Sequence, residues 1–336
     1  MHKITAMSKI PKRKTVAIIA GGDSGEREIS LGSAELIRNN IDARLYDAYL
    51  ILISKEKWVY TDKKKREFPV DKNDFSIRPG RQKVVFDLVF NIIHGTPGED
   101  GHMQAYFDLL GIPYTGCGQL TSALTFNKAY CNQVVAQTGV KTAPSVHIFK
   151  HRIPEVGSIL KKVKLPVFVK PNNGGSSVGM TKVNDKEKLA AAIRKALKED
   201  TEVLIEQGVK GTEITCGIFR QKGQLVVFPL TEIVSKTEYF DWEAKYKGKS
   251  EEITPARIST EAEILCKSTS AFLYEKLNCR GVVRFDYILA KDGLYFLEVN
   301  TVPGMSEMSI VPQQARAHGY TIPEFISILL KEAVRP

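Results

Sequence analysis

Arg284, Asp286, Glu298 and Asn300 set a guanidinium, two carboxylates and an amide at two-residue spacings. They lie in two β-rich runs, 282–289 and 294–301, joined by a turn-like Ala290, Lys291, Asp292 and Gly293. A hairpin over these runs alternates its side chains between two faces. Val283, Phe285, Tyr287, Leu289, Tyr295, Leu297 and Val299 then cover one face, and the four polar groups converge on the other. Unpaired charge is costly to bury. A hard cation beside a phosphate oxygen would offset that cost, because carboxylates supply hard oxygens and a guanidinium matches phosphate. The competing reading is the solvated face of an edge hairpin.

A second chemical signal is KPNNGGSSVG at 170–179, which follows the apolar run 167–169. Glycines let backbone N–H groups turn toward an anion, and serine hydroxyls add donors. Lys170, at the strand end, is placed to meet a phosphate. No G-x-x-x-x-G-K-[ST] occurs: Gly248, Lys249 and Ser250 have Glu243 where the leading glycine belongs. A plain flexible hairpin explains the loop equally. GGDSGE at 21–26 misses G-x-G-x-x-G, so a dinucleotide fingerprint is unsupported. Glu26, Glu99 and Asp100 read equally as first-turn helix acids. His94, beside Gly95 at a strand terminus, reads either as a ligand contact or as a core histidine.

These groups need a scaffold. Residues 14–20 read as a buried strand ending in Gly21 and Gly22, and 30–39 as a helix. An apolar strand at 83–93 leads through the polar loop 94–101 to a helix at 103–110. Strand, loop and helix in repetition predict a parallel α/β domain with ligand loops at the strands' carboxyl ends. The lysine-rich stretch 54–82 reads as an embellishment without chemistry. A second section opens near Leu120, with helix 123–138, strand 167–169, the glycine-rich turn, helix 185–198 and strand 203–206. A third begins about Gly211, holds the hairpin and ends in helix 322–334.

The 336-residue length suits two or three domains, and 43% hydrophobic content suits a soluble globular chain. The net charge of +10 arises from 48 basic and 38 acidic residues. Basic runs at 9–14, 63–66 and 161–164 are scattered and lack interleaved aromatics, so no nucleic acid partner is expected. Five cysteines show neither CxxC nor zinc-ligand spacing, as expected for reduced thiols in the cytoplasm. Residues 1–14 lack an apolar h-region, and no run reaches the roughly 18 apolar residues of a membrane span. No membrane partner is expected.

In combination and in this order, several motifs resemble those of the D-alanine–D-alanine ligase family, within the ATP-grasp superfamily. They are GGDSGEREIS at 21–30, HGTPGEDG at 94–101, NK at 127–128, VKPNNGGSSVGM at 169–180, VLIEQ at 203–207, DWEAKY at 241–246, RFD at 284–286 and LEVNTVPGM at 297–305. The resemblance implies an α/β protein of three-domain ATP-grasp architecture. A parallel α/β N-terminal domain (1–120) would precede two α+β domains (121–210 and 211–336) that grip ATP. It further implies a cytoplasmic homodimer that ligates two D-alanine molecules through an acyl phosphate, for peptidoglycan precursors.

By the same resemblance, Lys128, Lys170 and Lys245 are expected on the phosphates of ATP. Glu206, with the backbone about Gln207 and Val209, is expected at the adenine, and Glu213 at the ribose. Asp286, Glu298 and Asn300 would hold two Mg²⁺ ions, with Mn²⁺ as a substitute. Arg284 and the N–H of Gly304 would form an oxyanion site. Glu26 would bind the first substrate's ammonium, with His94 near its carboxylate, while Ser309 and the N–H of Ile310 would hold the second substrate's carboxylate. Glu26, Ser176 and Tyr246 match a hydrogen-bonded triad that ties loops of all three domains together, and 237–250 would be a lid. Ser306, Glu307 and Met308 depart from the family's usual run before Ser309. Tyr246 speaks against the relatives that use D-lactate, which usually change this residue. The complete ligand set speaks against an inactive nucleotide-binding module.

Overall fold

The computed structural model describes residues 13–175, 178–235 and 250–334. Ser176, Lys245, Tyr246 and nearly all of the expected lid lie outside the described residues.

Strands β1 (Lys14–Gly21), β2 (Tyr46–Ile53), β3 (Trp58–Thr61), β4 (Glu67–Pro69) and β5 (Leu88–Asn91) form one sheet in the order β4-β3-β2-β1-β5. β1 pairs in parallel with β2 and β5, as the strand–loop–helix pattern predicts. β3 and β4 extend the sheet in antiparallel fashion. Residues 54–82 are therefore structural: they add two strands and bury Val70, Phe75 and Ile77 against the sheet. Helices α1 (Arg27–Asn40) and α2 (His102–Leu110) follow β1 and β5.

The helix expected over 123–138 is two helices, α3 (Gln119–Phe126) and α4 (Lys128–Gln137). Asn127 parts them, because its side chain accepts from the N–H of Tyr130 and caps α4. After β6 (Lys141–Thr142), strands β7 (Ser145–Phe149), β8 (Val167–Pro171), β9 (Thr181–Val183) and β10 (Glu202–Gln207) make an antiparallel sheet in the order β7-β10-β8-β9. Helices α5 (Val156–Leu160) and α6 (Lys186–Glu199) bury Ile159, Leu189 and Ile193 against it.

The third sheet comprises β11 (Gly211–Gln221), β12 (Gln224–Val227), β13 (Thr231–Ser235), β14 (Ser250–Ile253), β15 (Val283–Ala290) and β16 (Gly293–Asn300). Its order is β14-β13-β11-β15-β16-β6, with β12 beside β11. α7 (Thr260–Lys276) packs Leu273 and Tyr274 on it. α8 (Ile310–Ala317) and α9 (Ile322–Ala333) end the chain. α9 is started by a Thr321/Glu324 capping box, and its Phe325, Ile326 and Leu330 join the cluster beneath β1 and β5.

The hairpin of β15 and β16 sets Arg284 opposite Asn300 and Asp286 opposite Glu298. Beyond Asp286 the register shifts, so Tyr287 faces Phe296 and Leu297 has no opposite residue. This bulge inverts the alternation along β16. Leu294 and Phe296, 6% and 3% exposed, enter the core with Val283, Phe285 and Tyr287, where plain alternation predicts Tyr295 and Leu297. All five cysteines are free and buried, and no described helix is long and apolar enough to cross a membrane.

Candidate active site

The polar face of β15 and β16 floors a cavity of about 1430 Å³, its open mouth included. Arg284, Glu298 and Asn300 contribute from the hairpin, and Glu26, His94 and Glu99 from the loops of the first sheet. Lys128 arrives from the first turn of α4, and Gly174 and Gly175 from the glycine-rich loop. Gly304, Ser309 and Ile310 line the side beyond β16. Groups widely separated in sequence thus meet around one space.

Ion pairs organise the floor. Arg284 donates from Nε to Asp286 Oδ1 at 2.8 Å and from Nη2 to Oδ2 at 2.7 Å, and Asn300 Nδ2 donates to the same Oδ2 at 3.0 Å. Burial alone would push the guanidinium pKa down, but the charge of Asp286, with Glu298 and Glu252 behind it, outweighs burial and raises it. Lys128 Nζ lies 3.5 Å from Glu298 Oε2 and donates to the carbonyl of Gly174. Cations expected on phosphate and carboxylates expected on metal therefore neutralise one another. Two carboxylates and an amide oxygen suit a hard divalent cation. Among the described residues no group of three or more His, Cys, Asp or Glu side chains is placed to hold a metal ion.

Lys170 and Glu206 lie outside the cavity lining, paired across β8 and β10 with Nζ 2.5 Å from Oε2. Asn132 Nδ2 donates to the other oxygen of Glu206 at 2.8 Å. Groups expected at the phosphates and at the adenine are thus one buried pair. Removing one partner of such a pair costs about 3–5 kcal/mol. Lys170→Met should lose that much stability in urea denaturation at neutral pH, whereas Lys128→Met, whose partner is half-exposed, should lose less than about 1 kcal/mol. Gln207 is engaged by Lys164, whose N–H donates to Oε1 at 3.0 Å. Val209 and Glu213 also stand outside the lining, Glu213 on β11 opposite Ile288.

Glu26 stands at the start of α1 without bonding its N-terminal amides through its side chain. A Cβ on Gly175 would fall 2.4 Å from Glu26 Oε2, so a side chain at 175 would make the Glu26 carboxylate move aside. The loop that carries Ser176 therefore meets Glu26. Asp100 does serve helix α2, accepting from the N–H of His102 at 3.2 Å, but Glu99 turns inward. Burial pushes the Glu99 carboxyl up to about 7, with Glu26 adding to the rise. A Cβ on Gly304 would fall 2.8 Å from Ser309 Oγ. That hydroxyl accepts from the N–H of Ser306 at 3.0 Å and lies 2.7 Å from its Oγ. Ile310 opens α8, so its N–H is one of the helix's unpaired donors. Sequence reading missed Ser33, Asn132 and Glu252, which belong to no recognisable run. Glu99 was visible in HGTPGEDG but could not be told from a helix acid.

Family profiles described as D-ala D-ala ligase N-terminus and C-terminus match residues 15–117 and 134–331. The chain is 45% identical over 324 residues to the D-alanine--D-alanine ligase of Parabacteroides distasonis, covering 96% of this chain and 98% of that one. It is 47% identical over 314 residues to the D-alanine--D-alanine ligase of Flavobacterium johnsoniae, covering 94% and 97%. Among solved structures, the VanG D-Ala:D-Ser ligase from Enterococcus faecalis superposes with a TM-score of 0.85 at 32% identity, covering 96% of this chain and 100% of the other. Profiles matched on both sides of the cavity and relatives aligned over nearly their full length agree with the site's geometry, and the chain belongs to the D-alanine–D-alanine ligase family.

Proposed function

We propose that the cavity ligates two D-alanine molecules to D-alanyl-D-alanine, with ATP as phosphoryl donor, for peptidoglycan precursors. The carrying observation is one cavity with distinct places for an ammonium (Glu26), phosphoryl oxygens (Lys128, Arg284) and a carboxylate (the start of α8). Glu26 holds the first D-alanine's ammonium and turns its carboxylate toward Lys128 and Arg284. A carboxylate oxygen attacks the γ-phosphorus, and the acyl phosphate forms as the bond to the β,γ-bridging oxygen breaks and ADP leaves. The second D-alanine docks its carboxylate on Ser309 and the N–H of Ile310, at a helix N-terminus that favours anions. Its neutral amine attacks the acyl carbonyl, the oxyanion forms against Arg284 and the N–H of Gly304, and phosphate leaves as the nitrogen gives up a proton.

Asp286, Glu298 and Asn300 would hold Mg²⁺, or Mn²⁺ in its place, whose charge when bound neutralises phosphoryl oxygens. Holding the reactants in register supplies roughly 7–11 kcal/mol, against about 3 kcal/mol for one oxyanion donor. Positioning is the larger contribution. Three domains (1–120, 121–210, 211–336), a homodimeric state and a cytoplasmic location complete the reading. ATP- and Mg²⁺-dependent phosphate release should appear with D-alanine and not with L-alanine. D-lactate or D-serine outcompeting D-alanine as second substrate near neutral pH would overturn the dipeptide assignment.

A further inference from the structure

Val302 is gripped at both ends from across the cavity. Its N–H donates to Glu99 Oε1 at 3.3 Å, and its carbonyl accepts from His94 Nδ1 at 2.8 Å. Three residues later the N–H of Met305 donates to Ser33 Oγ at 3.0 Å. Ser33 Oγ also lies 3.5 Å from His94 Nε2, so one proton arrangement serves the whole set: His94 carries its proton on Nδ1, and Ser33 donates to Nε2. Glu99 Oε2 meanwhile accepts from the N–H of Gly95 at 3.0 Å, which fixes the carboxylate to its own loop. Gly304 stands between the gripped residues.

We propose that Glu99, assisted by Ser33 and His94, is a positioning residue that aims the N–H of Gly304 at the developing oxyanion. This rests on Gly304 belonging to the oxyanion site. An oxyanion donor works only within about 2.7–3.1 Å of its target, and supporting hydrogen bonds must hold it there to within about 0.5 Å. The gripping groups come from the loop after β5 and from α1, whose first turn follows Glu26. The first substrate's ammonium site and the oxyanion donor are thereby referred to one frame. Both Glu99 oxygens accept, so a glutamine would turn an amide N–H₂ against a backbone N–H.

Among the described residues, the titratable groups facing Glu99 are Glu26 from the start of α1, Lys128 from α4 and the buried Cys117 thiol, with the His94 ring on the same Val302 peptide. Its pKa of about 7 means that protonation removes one acceptor as pH falls through that value. Activity dependent on the grip is present above this pH and lost below it.

Phosphate release over a range of ATP concentrations tests the proposal in the full chain, with Glu99→Gln, Ser33→Ala and Arg284→Ala. Glu99→Gln should lower kcat roughly 10–100-fold, about one oxyanion donor partly displaced, with the KM for ATP unchanged. The acid limb of kcat/KM near pH 7 should vanish in this variant. Ser33→Ala should lower kcat roughly 3–10-fold, as for loss of one neutral hydrogen bond. Wild-type kcat in Glu99→Gln, or a KM for ATP that rises as kcat falls, overturns the proposal. Should Glu99→Gln fail to melt cooperatively, Ser33→Ala decides by the same criteria. Loss of activity in Arg284→Ala beside full activity in Glu99→Gln overturns the positioning role alone; full activity in Arg284→Ala overturns the oxyanion site.

Discussion

Glu298→Gln and Asp286→Asn are both expected to abolish Mg²⁺-dependent ADP release, and only Asp286→Asn to destabilise the protein. Each removes a carboxylate from the expected metal site, and metal charge stabilisation is worth several kcal/mol, or about 10³-fold in rate. Stability separates them. Asp286 is 4% exposed and receives both arms of Arg284, itself 9% exposed. An amide there leaves a buried guanidinium without its counter-charge, which costs about 3–5 kcal/mol. Glu298 is 30% exposed and meets Lys128 at 3.5 Å, so its loss costs less than about 1 kcal/mol. Urea denaturation beside ADP release over a Mg²⁺ titration distinguishes the outcomes. Substantial turnover in either variant sinks the metal assignment, and equal stabilities sink the ion-pair account.

Gly304→Ala is expected to lower kcat about 10²–10³-fold and to raise the KM for the second D-alanine. The added methyl would stand 2.8 Å from Ser309 Oγ and 3.3 Å from its Cβ. Ser309 cannot simply rotate away, because Ser306 holds its hydroxyl through two contacts. The backbone must shift, which would carry the Gly304 N–H off the proposed oxyanion site and the start of α8 off the proposed second-carboxylate site. ATP affinity, measured by equilibrium binding, stays unchanged because Lys128 and Lys170 lie on other elements. A kcat within threefold of wild type removes Gly304 from the oxyanion site.

The hairpin was legible because its polar residues recur with period two. Its bulge was not, since an inserted residue leaves both flanking runs looking regular; Leu297 reads as core until Tyr287 is seen opposite Phe296. The break at Asn127 was signalled by a capping residue, but the apolar positions on either side hid it within one long helical period. In 54–82, surface lysines masked the burial of Phe75. The site divides similarly. Motif residues such as Glu26, Lys128 and Gly304 were visible and do share a cavity. Ser33 was not, because its partner Met305 is 272 positions away and no local pattern marks a hydroxyl that serves a remote amide.

Phe325, Ile326 and Leu330 of α9 complete the hydrophobic cluster begun by Val16, Ile18 and Leu88. Ala34 and Ile37 of α1 cover part of that face as soon as they are made, and α9 adds its share only after the intervening sheets. Contacts of such sequence separation form slowly, and nascent chains with open apolar faces need protection meanwhile. The core of the first sheet is therefore completed by residues far from it in the chain.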